Sequence, residues 1–189
     1  VKELPYSDII KGYIATQIEL DKALEYLIKQ LEAKDKLEDT VIVLCTDHYP
    51  YGLELEEINE VANPVRDNNF EKHRSHLIIW NSELEHKEIE TLSSNIDVLP
   101  TVLNLFGANY DSRLYMGKDI LSDDEERLVV FSNRSWISEQ GRYNFLTKES
   151  SPKLSSEYIS SVNQDIYNRF KISKLIIDKN YYQILKNKD

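Results

Sequence analysis

Hydrophobic positions early in the chain recur at three- and four-residue spacing. Ile10, Tyr13, Ile14, Ile18, Leu24, Leu27, Ile28 and Leu31 share one face of a helix expected from Ser7 to about Lys34, with Ser7 as its N-cap. Lys11, Glu19, Lys22, Glu25, Lys29 and Glu32 populate the opposite face, the ordinary solvated side of an amphipathic helix. The pattern then changes. Thr40 to Cys45 is apolar at consecutive positions and led by β-branched residues, which predicts a central strand of a parallel sheet, buried on both faces. A second such strand is predicted over His76–Trp80. The stretch 49–75 between them lacks a sustained period and reads as a long loop with a short helix around Leu53 to Val61. Loops of this length inside compact domains are commonly lids or binding loops.

Further along, Asp97 is placed to cap a helix, Pro100 falls in its first turn and Gly107 where a C-terminal glycine is expected. Leu99, Val102, Leu103 and Phe106 form its predicted buried stripe. Asp123 to Glu126 reads as a charged turn. Leu128–Ser132 and Arg142–Thr147 read as strands, joined by a hairpin near Gln140-Gly141. A last helix is predicted over Glu157–Asp178, with Ile159, Val162, Ile166, Phe170 and Leu175 inward. This order of elements implies an α/β layered fold. Ligands of open parallel sheets gather beyond the carboxyl ends of strands, which singles out Thr46-Asp47-His48.

Composition narrows the function. With 189 residues, 41% hydrophobic and 30% charged, the chain can bury a core of its own. No apolar run is long enough to span a bilayer. The chain opens on Val1 and runs almost at once into a helical pattern, so residues 1–189 are expected to be the C-terminal part of one larger catalytic domain. A net charge of −10 gives nucleic-acid binding no electrostatic support, and an anionic substrate would need a local cation such as a bound metal. Cys45 is the single cysteine, so no intrachain disulfide forms, and its apolar setting predicts a small buried hydrophobe.

Candidate chemistry centres on Asp47 and His48. A carboxylate oxygen and an imidazole nitrogen suit Zn²⁺ or Mn²⁺, and a turning backbone can aim neighbours at one ion. Two ligands do not complete a site, and an isolated Asp-His pair also fits a capping Asp beside a surface His. The context is more specific. Thr40-Val41-Ile42-Val43-Leu44-Cys45-Thr46-Asp47-His48-Tyr49 resembles the strand and metal motif of the lipoteichoic acid synthase (phosphoglycerol transferase) family, within the alkaline phosphatase and sulfatase superfamily. Leu77-Ile78-Ile79-Trp80 is similar to that family's next strand. Asp97-Val98-Leu99-Pro100-Thr101 through Gly107 is similar to its Asp-x-x-Pro-Thr helix, and Tyr115-Met116-Gly117-Lys118-Asp119-Ile120-Leu121 to the motif that follows. The similarity runs in order over about residues 6 to 147.

The resemblance implies an α/β/α sandwich of the alkaline phosphatase/sulfatase type. It implies Asp47 and His48 as ligands of a catalytic divalent ion, commonly Mn, with Zn, Mg and Ca as alternatives. The nucleophilic threonine, a further carboxylate ligand and the main headgroup contacts of the family lie upstream, so no catalytic nucleophile is expected in this chain, which alone should be inactive. The implied substrate is a glycerophospholipid headgroup or other phosphodiester. The implied setting is a membrane-anchored protein whose catalytic domain faces away from the cytoplasm, the anchor belonging to upstream transmembrane helices. Sulfate-ester hydrolysis, or a non-catalytic binding module, are the alternatives. Two departures bear on the substrate: Pro50 follows Asp-His-Tyr where the family has Gly, and His76 takes a proline position before the second strand. His73 is a candidate substrate contact at the end of the long loop. His76, at a strand start and so at the far edge of a parallel sheet, reads as structural, and His86 as solvated.

Overall fold

The computed structural model describes residues 1–123 and 126–187. They form two compact units, Val1–Glu88 and Ile89–Asp189.

In the first unit α1 spans Asp8–Glu32, and the Ser7 side chain accepts from Ile10 N at 3.4 Å as the N-cap. Exposed Lys22–Glu19 and Lys29–Glu25 pairs line its solvated face. Strand β1 (Ile42–Cys45) pairs with β2 (Leu77–Trp80), and the Asn81 amide donates to Glu38 O and Thr40 O at 2.9 Å, tying the end of β2 to the entry of β1. The pairing is antiparallel, with Ile42 opposite Trp80 and Cys45 opposite Leu77. The expected parallel, fully buried strand is therefore corrected. Apolar residues at every position report burial, not the direction of a neighbour; direction is set by the connection. Here that connection holds only a short helix α2 (Leu55–Asn59) and a 3₁₀ turn (Glu71–His73), and brings the chain back to the edge it left. Both strands are at most half-buried, and Cys45 is exposed at the end of β1 rather than buried.

The second unit opens on a 3₁₀ turn (Asn95–Asp97) leading into α3 (Val98–Leu105). Asp97 does not cap α3 through its side chain; its carboxylate is buried and accepts from Ser94 N and from Lys118 N, both at 2.7 Å. Thr101, fully buried, donates to Asp97 O at 2.6 Å and accepts from Ile120 N at 2.9 Å. Asn104 donates to Asp119 Oδ2 at 2.9 Å. Successive turns of one helix thus fasten the 117–120 segment. Gly117 is required there, because a Cβ would lie 1.9 Å from Ile96 O. Gly107 ends the helix at φ +61, with Ala108 N bonded to Leu103 O. The buried face of α3 is Pro100 and Thr101, whereas Leu99 (52%) and Phe106 (63%) of the expected stripe are exposed.

Three antiparallel strands follow: β3 (Leu128–Val130), β4 (Trp136–Ser138) and β5 (Gly141–Tyr143), in that order. The hairpin at Glu139-Gln140 joins β4 to β5; β4 is an additional strand between the two expected. The expected turn at 123–126 lies partly outside the described residues. Helix α4 (Ser156–Asp178) starts at a Ser155 cap that accepts from Tyr158 N at 3.1 Å. Trp136, Tyr143 and Ile166 form the buried centre, with Ile159 and Val162 against it, and the Trp136 indole donates to Asn163 Oδ1 at 3.0 Å. Phe170 and Leu175, expected inward, are exposed, because the small sheet covers only the first half of the helix. A short α5 (Tyr181–Lys186) closes the described chain.

Candidate metal centre

Strand β1 ends at Cys45, and the chain turns immediately, carrying Asp47 and His48 past the sheet edge. Asp47 Oδ1 accepts from His48 N at 2.9 Å, which folds the carboxylate back toward its neighbour's ring. Asp47 Oδ2 and His48 Nε2 stand 3.4 Å apart. Tyr49 O lies 2.6 Å from His48 Nδ1. A carbonyl oxygen only accepts, so Nδ1 carries the proton in this contact and Nε2 offers a lone pair. Two acceptors, Nε2 and Oδ2, then face one another, an arrangement satisfied by a proton or a metal cation between them. Metal-bound histidines ordinarily donate their other N–H to a carbonyl or carboxylate, as here. The donor set suits a divalent ion as part of its shell. Among the described residues no group of three or more His, Cys, Asp or Glu side chains is placed to hold an ion.

Rings fix the imidazole plane. Tyr51 stacks on His48 at 4.0 Å and 8°, Tyr49 meets Tyr51 edge-on at 4.8 Å, and the His73 ring meets Tyr49 edge-on at 5.2 Å. Lys72 Nζ lies 4.6 Å above the Tyr49 ring. The antiparallel pairing explains why His73 is here. With Leu77 opposite Cys45, the start of β2 shares an edge with the end of β1, so the residues just before β2 return to Asp47 and His48. His76 stands at this same edge and not at the far edge expected of a parallel sheet, and it is exposed, as is His86. Asp67 organises the return: its Oδ1 accepts from Asn69 N, Phe70 N and Glu71 N, capping the 3₁₀ turn that ends at His73. His73 is exposed by surface area, yet partial burial of the ring, and then the Lys72 charge, lower its pKa against an opposing pull from Asp67. His73 thus stays neutral over a wider pH range than a free histidine, leaving Lys72 and the exposed Arg74 as cations of this edge. Tyr49 belongs to the Asp-His-Tyr motif itself, whereas Lys72 and Tyr51 carry no sequence signal beyond their closeness to that motif and to the end of the loop.

The sequence model of the Sulfatase family matches residues 6–108, more than half of the chain and all of this edge. The chain belongs to the sulfatase family. Within it, the chain is 30% identical over 139 residues to a lipoteichoic acid synthase of Staphylococcus saprophyticus, covering 71% of this chain and 21% of that protein. It is 27% identical over 139 residues to the lipoteichoic acid synthase-like YvgJ of Bacillus subtilis, with 70% and 22% covered. A lipoteichoic acid synthase of Staphylococcus aureus matches at 27% over 139 residues, with 71% and 21% covered. The chain spans about a fifth of the length of these relatives. Family membership and the mixed helix–sheet structure put it in the α/β alkaline phosphatase-like class, as a partial portion. Among the described residues no helix is long and apolar enough to cross a membrane.

Proposed function

We propose that this chain is the metal-binding edge of a phosphodiester-transferring enzyme of the phosphoglycerol transferase type. The observation that carries this is the facing of Asp47 Oδ2 and His48 Nε2 at 3.4 Å, with His48 Nδ1 spent on Tyr49 O, inside a region matched by the family. A divalent ion held there, Mn by the family resemblance, would supply Lewis acidity toward a phosphoryl oxygen. The chain's own residues do the positioning. Asp47 and His48 provide an oxygen and a nitrogen; Tyr51 holds the imidazole plane; Tyr49 O fixes the tautomer. Lys72 and neutral His73 stand on the same edge to receive an anionic headgroup, Lys72 by charge and His73 by hydrogen bonding. The remaining ligands and the nucleophile belong to other parts of the full-length protein, whose expected place is the outer face of the cytoplasmic membrane. This reading is supported by relatives that are themselves named lipoteichoic acid synthases.

The test is turnover. Full-length protein should transfer or release the headgroup of phosphatidylglycerol, Asp47→Asn should abolish this, and the 189-residue chain alone should show none. Hydrolysis of an aryl sulfate in preference to phosphatidylglycerol would favour the sulfatase reaction, which the family's name raises. Turnover unaffected by Asp47→Asn would contradict the site.

A further inference from the structure

The outward side of α4 changes character halfway along. Ile159, Val162 and Ile166 turn to the core, and the opposite side begins with Ser161, Asp165 and Asn168, all polar and exposed. Steps of three and four carry that same row on to Ile172 and Leu175, which are 47% and 44% exposed. Lys171 and Lys179 flank the pair, Lys179 lying one turn beyond Leu175 at the helix end. Just past the left-handed Asn180 (φ +49), α5 exposes Tyr182 and Ile184 as well.

Charge is distributed as unevenly as hydropathy. Between Tyr167 and Asn187 the chain carries Arg169, Lys171, Lys174, Lys179 and Lys186 against one acid, Asp178, in a protein whose net charge is −10. Arg169 is engaged by Asp165 and Lys174 by Asp178. Lys171, Lys179 and Lys186 have no ion pair among the described residues. Charges more than about 8–10 Å away are largely screened at physiological salt, so these lysines set the local sign.

Water gives no reason for a solvated helix face to turn aliphatic, and the surfaces that could cover it treat lysine differently. Protein interfaces are depleted of lysine, and two aliphatic side chains fall far short of the roughly 20–30 residues that each side of a stable one uses. An anionic bilayer takes both kinds of residue. Aliphatic side chains enter the boundary between headgroups and acyl chains, and lysine stems lie along it with their ammonium groups among the anionic headgroups. We propose that the second half of α4 docks on an anionic lipid bilayer, with Ile172 and Leu175 inserted and Lys171 and Lys179 meeting the headgroups. The contact is peripheral and responds to surface charge, not to headgroup identity. It does not depend on the Asp47–His48 reading.

Co-sedimentation of the 189-residue chain with vesicles tests this. Vesicles of equal parts phosphatidylcholine and phosphatidylserine should retain the chain, pure phosphatidylcholine should not, and added salt should release it. Phosphatidylglycerol in place of phosphatidylserine should act equally, because both carry one negative charge. Lys171→Gln/Lys179→Gln should weaken binding at least about tenfold, and Ile172→Ser/Leu175→Ser by a similar factor. These positions are exposed, so the melting temperature should hold in both variants. Lys34→Gln/Lys36→Gln, exposed in the first unit, should bind like the parent. The proposal is overturned if the chain ignores anionic vesicles, binds pure phosphatidylcholine equally, or binds undiminished without Lys171 and Lys179. An equal loss in Lys34→Gln/Lys36→Gln would overturn it too, since the attraction would then be diffuse. Retention by phosphatidylglycerol alone would replace it with headgroup recognition. Self-association abolished by Ile172→Ser/Leu175→Ser, without vesicle binding, would replace it with a second copy of the chain.

Discussion

Asp47 and Asp97 both lie in motifs that a reader of the sequence would mark, yet the fold treats them in opposite ways. The Asp97 side chain is in a residue only 8% exposed, and its two oxygens are taken up by Ser94 N and Lys118 N. The Asp47 side chain is 85% exposed, and its Oδ2 points at another acceptor, His48 Nε2. One carboxylate is consumed in fastening the 117–120 segment to α3; the other is held out at a sheet edge with coordinating capacity left over. A motif carboxylate whose bonds close within the backbone is structural, and one whose geometry leaves facing acceptors calls for a cation from outside.

That contrast can be broken most forcefully at the buried member. Asp97→Ala should destabilise the chain by about 3–5 kcal/mol, since it strands two N–H groups that were bonded to a charge. Gly117→Ala, which drives a Cβ into the Ile96 backbone, should cost roughly 2–3 kcal/mol. Both are read as urea midpoints at constant slope. Asp47→Ala, without metal, should move stability by no more than about 0.5 kcal/mol. Comparable losses at Asp47 and Asp97 would erase the distinction.

A smaller effect should appear at His73. Its folded pKa is lowered from 6.5 by burial first and by Lys72 second, so the unfolded chain takes up the proton before the folded one. Its contribution to stability is present above pH 6.5 and is lost as pH falls through the depressed folded value. His73→Gln should flatten the fall in urea midpoint over that window. An unchanged pH profile would show that the ring is not desolvated beside Tyr49.

Helices α1 and α4 were legible in the sequence because their apolar spacing is local, and Ser7 could be named as a cap from its position alone. The closeness of Asp47 and His48 needed only adjacency. Sheet direction was not legible: residues apolar at every position look alike in parallel and antiparallel sheets, and the wrong direction sent the start of β2 to the far edge, understating the approach of His73 and His76. Strand β4 has no clear signature in the sequence, because Trp136-Ile137-Ser138 is three residues long with polar neighbours, although its Trp136 is the centre of the second unit's core. The stripe on α3 failed for a different reason. The helix buries Pro100 and Thr101 to make hydrogen-bonded turns, and its larger side chains, Leu99 and Phe106, face out.

The central claim is that Asp47 and His48 are ligands of one divalent ion. It is tested most directly by calorimetric titration of Mn²⁺ into the metal-free catalytic domain of the full-length protein. His48→Ala should weaken binding by at least about a hundredfold, whereas the exposed His86→Ala should leave it unchanged. Mn²⁺ binding to His48→Ala as tight as to the parent would contradict the account.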